Sequence, residues 1–421
     1  MGQLGAFRAR TRTVALFGLF VLLGLFFPAD AGAAPAQRPG DRIDLRKMPL
    51  AKPYATPSAV NGIRGKRRPD NVFPAAPRGF RVRPYATGLV TPREMAVSEN
   101  GDVLVVEKSR GRVTVLRDLD GNGTADEKHH IATGLKTPNG IALRHPYLYV
   151  TDLRAVWRYQ YKAGRNSVEG RPRQITEDGA LGGQRGHWNR TIALDPKGKH
   201  YYVGIGSRGN INEEAPPRAT IQRFDAGGKN KTTFASGLRN PSGLAFHPMT
   251  GDLYTVVNER DGLGDDLVPD YLAKVEQGDF FGWPYAYLGK NPDPEFGARR
   301  PDLVEATKSP DVLFRAHSAP VGLAFYTGGQ FPEQYLGDAF VALHGSWNSS
   351  VPRGYSVARV LFVEGKPTGV YEIFLTGFLI EKGQRPATYG RPSGVAVAGD
   401  GALLVSDESA GVIWRVSYPP R

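Results

Sequence analysis

His187 closes a glycine-rich approach, Gly182-Gly183-Gln184-Arg185-Gly186-His187-Trp188-Asn189-Arg190, just before an apolar run. An imidazole on such a turn suits general-base work near neutrality. A histidine that only packs or hydrogen-bonds locally leaves the same trace. A second segment, Gly204-Ile205-Gly206-Ser207-Arg208-Gly209-Asn210, combines small residues with a cation, and Arg239-Asn240 precedes a Pro-Ser-Gly turn. Small residues let the backbone approach a ligand, and a guanidinium is a planar fork for carboxylates. A surface ion pair is the plainer use of each arginine. Aromatic residues stand beside cations in His344-Gly345-Ser346-Trp347-Asn348, in Arg353-Gly354-Tyr355 and in Tyr389-Gly390-Arg391-Pro392. That pairing suits a flat anionic ring, and Trp347, Arg353 and Arg391 are candidates to hold one. A Trp packed on the strand below it is the alternative.

Two loops offer oxygens for a hard cation. Residues 258–266 read Asn-Glu-Arg-Asp-Gly-Leu-Gly-Asp-Asp, with carboxylates and free carbonyls in a Gly-bearing turn. Residues 118–126 alternate oxygen donors around a central glycine, but His129 stands where an EF-hand would need its bidentate Glu. A plain hairpin fits the second loop equally well.

The elements that must position these groups come from a repeat. Pro138-Asn139-Gly140-Ile141-Ala142 returns as Pro241-Ser242-Gly243-Leu244-Ala245, Pro320-Val321-Gly322-Leu323-Ala324 and Pro392-Ser393-Gly394-Val395-Ala396. Pro92-Arg93-Glu94-Met95-Ala96 is a weaker copy, and Trp188-Asn189-Arg190-Thr191-Ile192-Ala193 a degenerate one. A turn and a β-rich run follow most copies. Such a period of short strands predicts an all-β fold, a six-bladed β-propeller over residues 76–421. The strand after Gly79 would close the ring beside residues 412–416. Residues 282–313 read as an inserted loop of the kind that carries function.

Residues 1–33 have a basic head, an apolar stretch over 14–27 and small residues at Ala31-Gly32-Ala33. This reads as a signal peptide for export to the periplasm or beyond, with a retained anchor as the alternative, and the processed chain is not expected to span a membrane. Residues 34–75, rich in Pro, Ala and Arg, read as a linker or surface strap. The chain has no cysteine, which excludes disulfides, thiol nucleophiles and thiolate metal sites. Its net charge of +13 comes with no nucleic-acid-binding module. A basic funnel for a small polyanion is the more useful reading.

Taken together, Gly237-Leu238-Arg239-Asn240-Pro241-Ser242-Gly243-Leu244-Ala245-Phe246, residues 258–266 and Gly278-Asp279-Phe280-Phe281-Gly282-Trp283-Pro284-Tyr285 resemble the soluble quinoprotein sugar dehydrogenases, the glucose/sorbosone dehydrogenase family. The resemblance spans residues 80–418 and points to the sorbosone-type branch. It implies pyrroloquinoline quinone (PQQ), calcium, a sugar substrate oxidised to a lactone and an external electron acceptor. It implies His187 as the base, Arg239, Asn240 and Arg391 on the quinone, and main-chain carbonyls of Arg260 and Asp261 on calcium, with Asp265 bracing the loop. Arg208 has no clear counterpart and is the lesser candidate. Ser393 stands where a second arginine is usual, and the usual Gln of an early blade is missing near Arg93. A calcium-dependent lactonase on the same fold, or a non-catalytic envelope propeller, are the competing functions.

Overall fold

The repeat residues open the innermost strand of each of six sheets. The structure, a computed structural model, describes residues 37–380 and 387–419. The expected signal peptide lies outside the described residues. The first sheet comprises Pro92–Val97, Val103–Glu107, Arg112–Arg117 and Glu127–Ala132, joined antiparallel in chain order. The same meander recurs from Ile141–Arg144, Arg190–Leu194, Pro241–Phe246, Pro320–Phe325 and Pro392–Val397. Alternating Val, Leu, Tyr and Phe on these strands fill the space between neighbouring sheets. The sixth sheet is completed by Arg81–Ala86, which pairs antiparallel with Val412–Ser417 through Val82 opposite Val416. The closing strand expected after Gly79 is therefore observed.

Each innermost strand packs against the next, and the last packs against the first, so the six form a closed cycle. The repeat glycine makes this approach possible. A Cβ at Gly140 would lie 2.5 Å from the Arg190 carbonyl oxygen, and one at Gly322 would lie 2.6 Å from that of Ser393. Side chains then tie the strand starts together. Asn189 Nδ2 donates to the Pro241 carbonyl at 2.9 Å, and Ser393 Oγ to that of Pro92 at 2.8 Å.

Among the described residues, helix is confined to Pro301–Ala306 and four short 3₁₀ turns, so the fold is nearly all-β. The inserted segment holds that helix and a small hairpin, Ala286–Tyr287 with Asn291–Pro292. The strap residues run over the outside: Arg42–Ile43 adds an edge strand to Lys366–Leu375, and Arg64–Gly65 pairs parallel with Ala387–Thr388. Among the described residues, no helix is long and apolar enough to cross a membrane.

Candidate active site

The starts of the innermost strands and the ends of the second strands converge on one cavity of about 410 Å³. His187, Arg239, Asn240, Asp261, Trp347 and Arg391 all line it, so the repeat brings together residues up to two hundred positions apart.

His187 hangs from the end of the strand His200–Ile205. Its backbone N–H donates to the Ser207 carbonyl at 2.9 Å, and Nδ1 lies 2.9 Å from the same oxygen and 3.1 Å from Ser207 Oγ. Ser207 Oγ itself donates to the Gly209 carbonyl at 2.6 Å, so its lone pairs face the ring. Two acceptors at Nδ1 place the proton there and leave Nε2 as a lone pair on the cavity side. Burial, and then the Arg239 charge, push the imidazole down to about 4, which keeps it neutral at pH 7.

Two buried guanidiniums brace the loop that carries this histidine. Arg190 donates to the carbonyls of Leu181, Gly183 and His187 at 2.9, 2.8 and 2.9 Å. Arg218 donates to those of Gly182, Gly183 and Gly206 at 2.9, 3.0 and 3.0 Å. The Gly-rich approach supplies carbonyls that these arginines can reach. Neither arginine has a carboxylate partner among the described residues.

Arg239 is fixed by Asn210, whose carbonyl accepts from Nε at 3.0 Å and whose Oδ1 accepts from a terminal nitrogen, also at 3.0 Å. The same guanidinium meets Asp261 Oδ2 at 2.9 Å. Asn240 Nδ2 donates to Asn258 Oδ1 at 3.1 Å, while its Oδ1 is buried with no partner among the described residues. Across the cavity, Arg391 donates to the carbonyls of His344 and Gly345 at 3.1 and 2.6 Å and has no carboxylate partner among the described residues.

A third group went unassigned in the sequence. Glu408 accepts from Arg93 at 2.6 Å and from Lys108 at 2.5 Å, and lies 3.3 Å from His344 Nε2. Burial opposes its charge, but Arg93, His344 and Lys108 hold the carboxyl well below the usual range. Arg93 and Lys108 also lie over the Trp188 ring at 4.7 and 4.2 Å. The signal that could have found them is positional. Lys108, Asn258, His344 and Glu408 each follow the second strand of a sheet, and Arg93 follows a repeat proline.

The fourth sheet contributes an acidic end. Glu259 and Asp270 line the cavity, and burial pushes both up to about 7. Asp270 accepts from the backbone N–H groups of Glu259 and Ala319 at 2.9 and 2.8 Å, whereas Glu259 Oε1 is buried with no partner. Asp261 stays charged despite burial because His317, Arg239 and Asn348 surround it.

The rest of the loop is fixed by contacts of its own. The Arg260 guanidinium turns outward to Asp293 and Glu295 at 2.6 and 3.0 Å. The Asp261 carbonyl already accepts from Asn210 Nδ2 at 2.8 Å, and this residue joins the cavity through its carboxylate instead. Asp265 accepts from the Ser350 N–H at 3.0 Å, outside the cavity lining. Arg208 is exposed, and its N–H donates to Glu214 at 2.6 Å. Arg353 pairs with Asp266 at 2.7 Å in a neighbouring groove. Neither arginine lines the cavity, because each leaves its turn on the outer side. Asp118, Asp120 and Asp126 cluster in an exposed turn, with Asp118 and Asp126 accepting from backbone N–H groups in that turn.

The TrAA12-like family model matches residues 74–277 and 302–419. An uncharacterized protein of Borreliella burgdorferi is 29% identical over 81% of this chain and 90% of its own length. A pyrroloquinoline quinone-dependent pyranose dehydrogenase of Coprinopsis cinerea is 25% identical over 81% of this chain, which spans 54% of that enzyme. A Trichoderma reesei carbohydrate-active enzyme of family AA12 superposes with a TM-score of 0.70 at 22% identity, covering 84% of this chain and 100% of that one.

Proposed function

The chain belongs to the TrAA12-like family, and on that premise we propose that it is a PQQ-dependent sugar dehydrogenase that oxidises an aldose at its anomeric carbon to a lactone. The six sheets and the closed cycle of their inner strands support reading the fold as a six-bladed propeller with this cavity at one end of its axis. The observation that carries the function is the cavity's charge. Arg93, Lys108, Arg239 and Arg391 face Asp261 and Glu408, held in the charged form, and Glu259 and Asp270, pushed up to about 7, so cations are in excess when those two carry protons or a divalent cation. A tricarboxylate fits such an excess of cations.

The donor set fits both groups that this chemistry requires. Arg239, Asn240 and Arg391 would hold the cofactor's carboxylates and carbonyls, with Arg93 and Lys108 on the wall beside Trp188. Asn240 Oδ1 and Glu259 Oε1 are buried without partners among the described residues, so each is open to a ligand in the cavity. Glu259, Asp261 and Asp270 line one side of the cavity and would each offer a carboxylate oxygen to a calcium ion, without a ready-made three-ligand cluster there among the described residues. When bound, PQQ would supply the hydride acceptor and calcium would raise its electrophilicity.

The chain's own residues do the rest. His187 Nε2 accepts the proton of the anomeric hydroxyl, and Nδ1–H stays on the Ser207 carbonyl throughout. Loss of that proton, together with the anomeric hydride, leaves the lactone. The imidazolium that forms is held 2.9 Å from a carbonyl dipole, and Arg190 and Arg218 keep the loop from moving during the transfer. An external acceptor removes the two electrons. Export to the periplasm or beyond belongs to the same reading, since the substrate and acceptor would meet the enzyme outside the cytoplasm.

Dye-coupled assays test it. Protein supplied with PQQ and calcium should reduce an artificial acceptor when an aldose is added. Acid release from a lactone with no dye reduction would assign a hydrolase instead, and neither activity would leave a binding module.

A further inference from the structure

The strap touches the site from outside the family's shared fold. The family model begins at residue 74, yet residues 54–61 bond to both loops that border the cavity. The Tyr54 N–H donates to the Leu263 carbonyl at 2.8 Å, and the Asp265 N–H donates to Thr56 Oγ1 at 2.7 Å. The Asn61 N–H donates to the Trp347 carbonyl at 2.7 Å, and its Nδ2 donates to those of Ser349 and Ser350 at 3.2 and 3.1 Å. Ser350 in turn binds Asp265, so the strap and the two loops form one bonded assembly.

This assembly leaves apolar surface in water. Tyr54, Val60 and Trp347 are 58%, 84% and 53% exposed, and Trp347 also lines the cavity. Tyr54 holds a φ of 62°, a backbone region that bulky residues rarely adopt. Both flanks of the segment are fixed. Arg42–Ile43 is paired into a sheet, and the Arg68 guanidinium sits among Phe378, Tyr389 and Trp414 at 5.6, 5.1 and 5.2 Å. The segment is therefore preorganised.

Space sets what could bind there. A cavity of about 410 Å³ has to take the tricyclic cofactor and one sugar ring. A second ring would lie at the mouth. Sugar rings present C–H faces that pack on aromatic and aliphatic side chains, and binding sites are commonly lined that way. We propose that residues 54–61 and Trp347 form an outer saccharide subsite, which holds the second unit of an oligosaccharide whose reducing end lies beside His187. The inference rests on the sugar-dehydrogenase reading above.

The test uses the full chain carrying Tyr54→Ala and Val60→Ser, both at exposed positions. Loaded with PQQ and calcium, wild type and variant are compared on aldohexoses and on their reducing disaccharides, such as cellobiose and maltose. The KM for the disaccharides should rise at least about tenfold, since two apolar side-chain contacts are lost, while the hexose kinetics stay within about twofold. Calorimetric titration with cellobiitol, which has no oxidisable anomeric centre, should show the same loss in affinity. Equal effects on hexoses and disaccharides, or no effect on either, would overturn the subsite. Absence of any sugar-dependent dye reduction by the wild type would instead overturn the dehydrogenase reading, and the cellobiitol titration would then decide the subsite alone.

Discussion

His187 and Ser207 share two hydrogen bonds, backbone N–H to carbonyl and Nδ1 to the same carbonyl, each 2.9 Å long. This pairing fixes the ring orientation and the tautomer together. His187→Ala should therefore lower PQQ-dependent turnover by roughly 10²–10⁴-fold, the usual contribution of a positioned base. PQQ affinity, read by equilibrium titration, should change little. Loss of cofactor binding together with loss of folding would mean that the histidine is structural.

The pH profile follows from the same geometry. Burial and Arg239 push His187 down to about 4, so the base is free over the whole neutral range. With calcium kept saturating at every pH, the acid limb of kcat/KM should fall only as the pH approaches that value, well below the limb of an ordinary histidine near 6.5. An acid limb centred near 6.5 would contradict the neutral, desolvated imidazole.

Glu408 holds Arg93 and Lys108 in place, so Glu408→Gln should free two cations to fold away from the cavity. A drop in PQQ affinity of about tenfold is expected, consistent with losing one charge-assisted hydrogen bond. Turnover at saturating cofactor should stay near wild type, and a fall in turnover with unchanged affinity would give Glu408 a different role.

Cation binding at Glu259 and Asp270 should strengthen with pH. Both carboxyls are pushed up to about 7 by burial, and a hard cation binds the deprotonated form. Calcium affinity should rise between about pH 6 and pH 8, and a strong chelator should abolish activity reversibly. Glu259→Gln should flatten that dependence. Calcium affinity independent of pH across that range would place the ion elsewhere.

Glu94 occupies the glycine position of the repeat and borders an apolar part of the ring's centre. Burial pushes its carboxyl up to about 8 from 4.5, with Arg93 pulling the other way. The folded state then keeps a proton that the unfolded chain releases, so its stabilising share is complete below 4.5 and is lost as the pH rises through 8. Tm should be nearly equal for wild type and Glu94→Gln near pH 4 and should favour the variant increasingly up to about pH 8. A gap independent of pH would show Glu94 charged throughout.

Much of this was legible in the chain. The repeat glycines mark the close contacts between neighbouring inner strands, so Gly140 and Gly322 announce the ring before any contact is seen. His187, Arg239, Asn240 and Arg391 sit beside repeat turns, and the turns share one end of the fold. Arg208 and Arg353 carry suitable chemistry but lie outside the cavity lining, and nothing in their spacing reveals which way a loop side chain turns. Glu408 and Lys108 were missed for the opposite reason. Each follows a second strand, where the repeat has no fixed residue type, and only the packing shows that those ends face the same cavity.

The most direct test of the account is the absorption spectrum of the protein reconstituted with PQQ and calcium, recorded in a single turnover as an aldose is added. Conversion of the oxidised quinone spectrum to the reduced one is expected, fast in the wild type and slowed by roughly 10²–10⁴-fold in His187→Ala. A bound oxidised spectrum that no aldose alters, or one reduced at equal rates in both proteins, would contradict it.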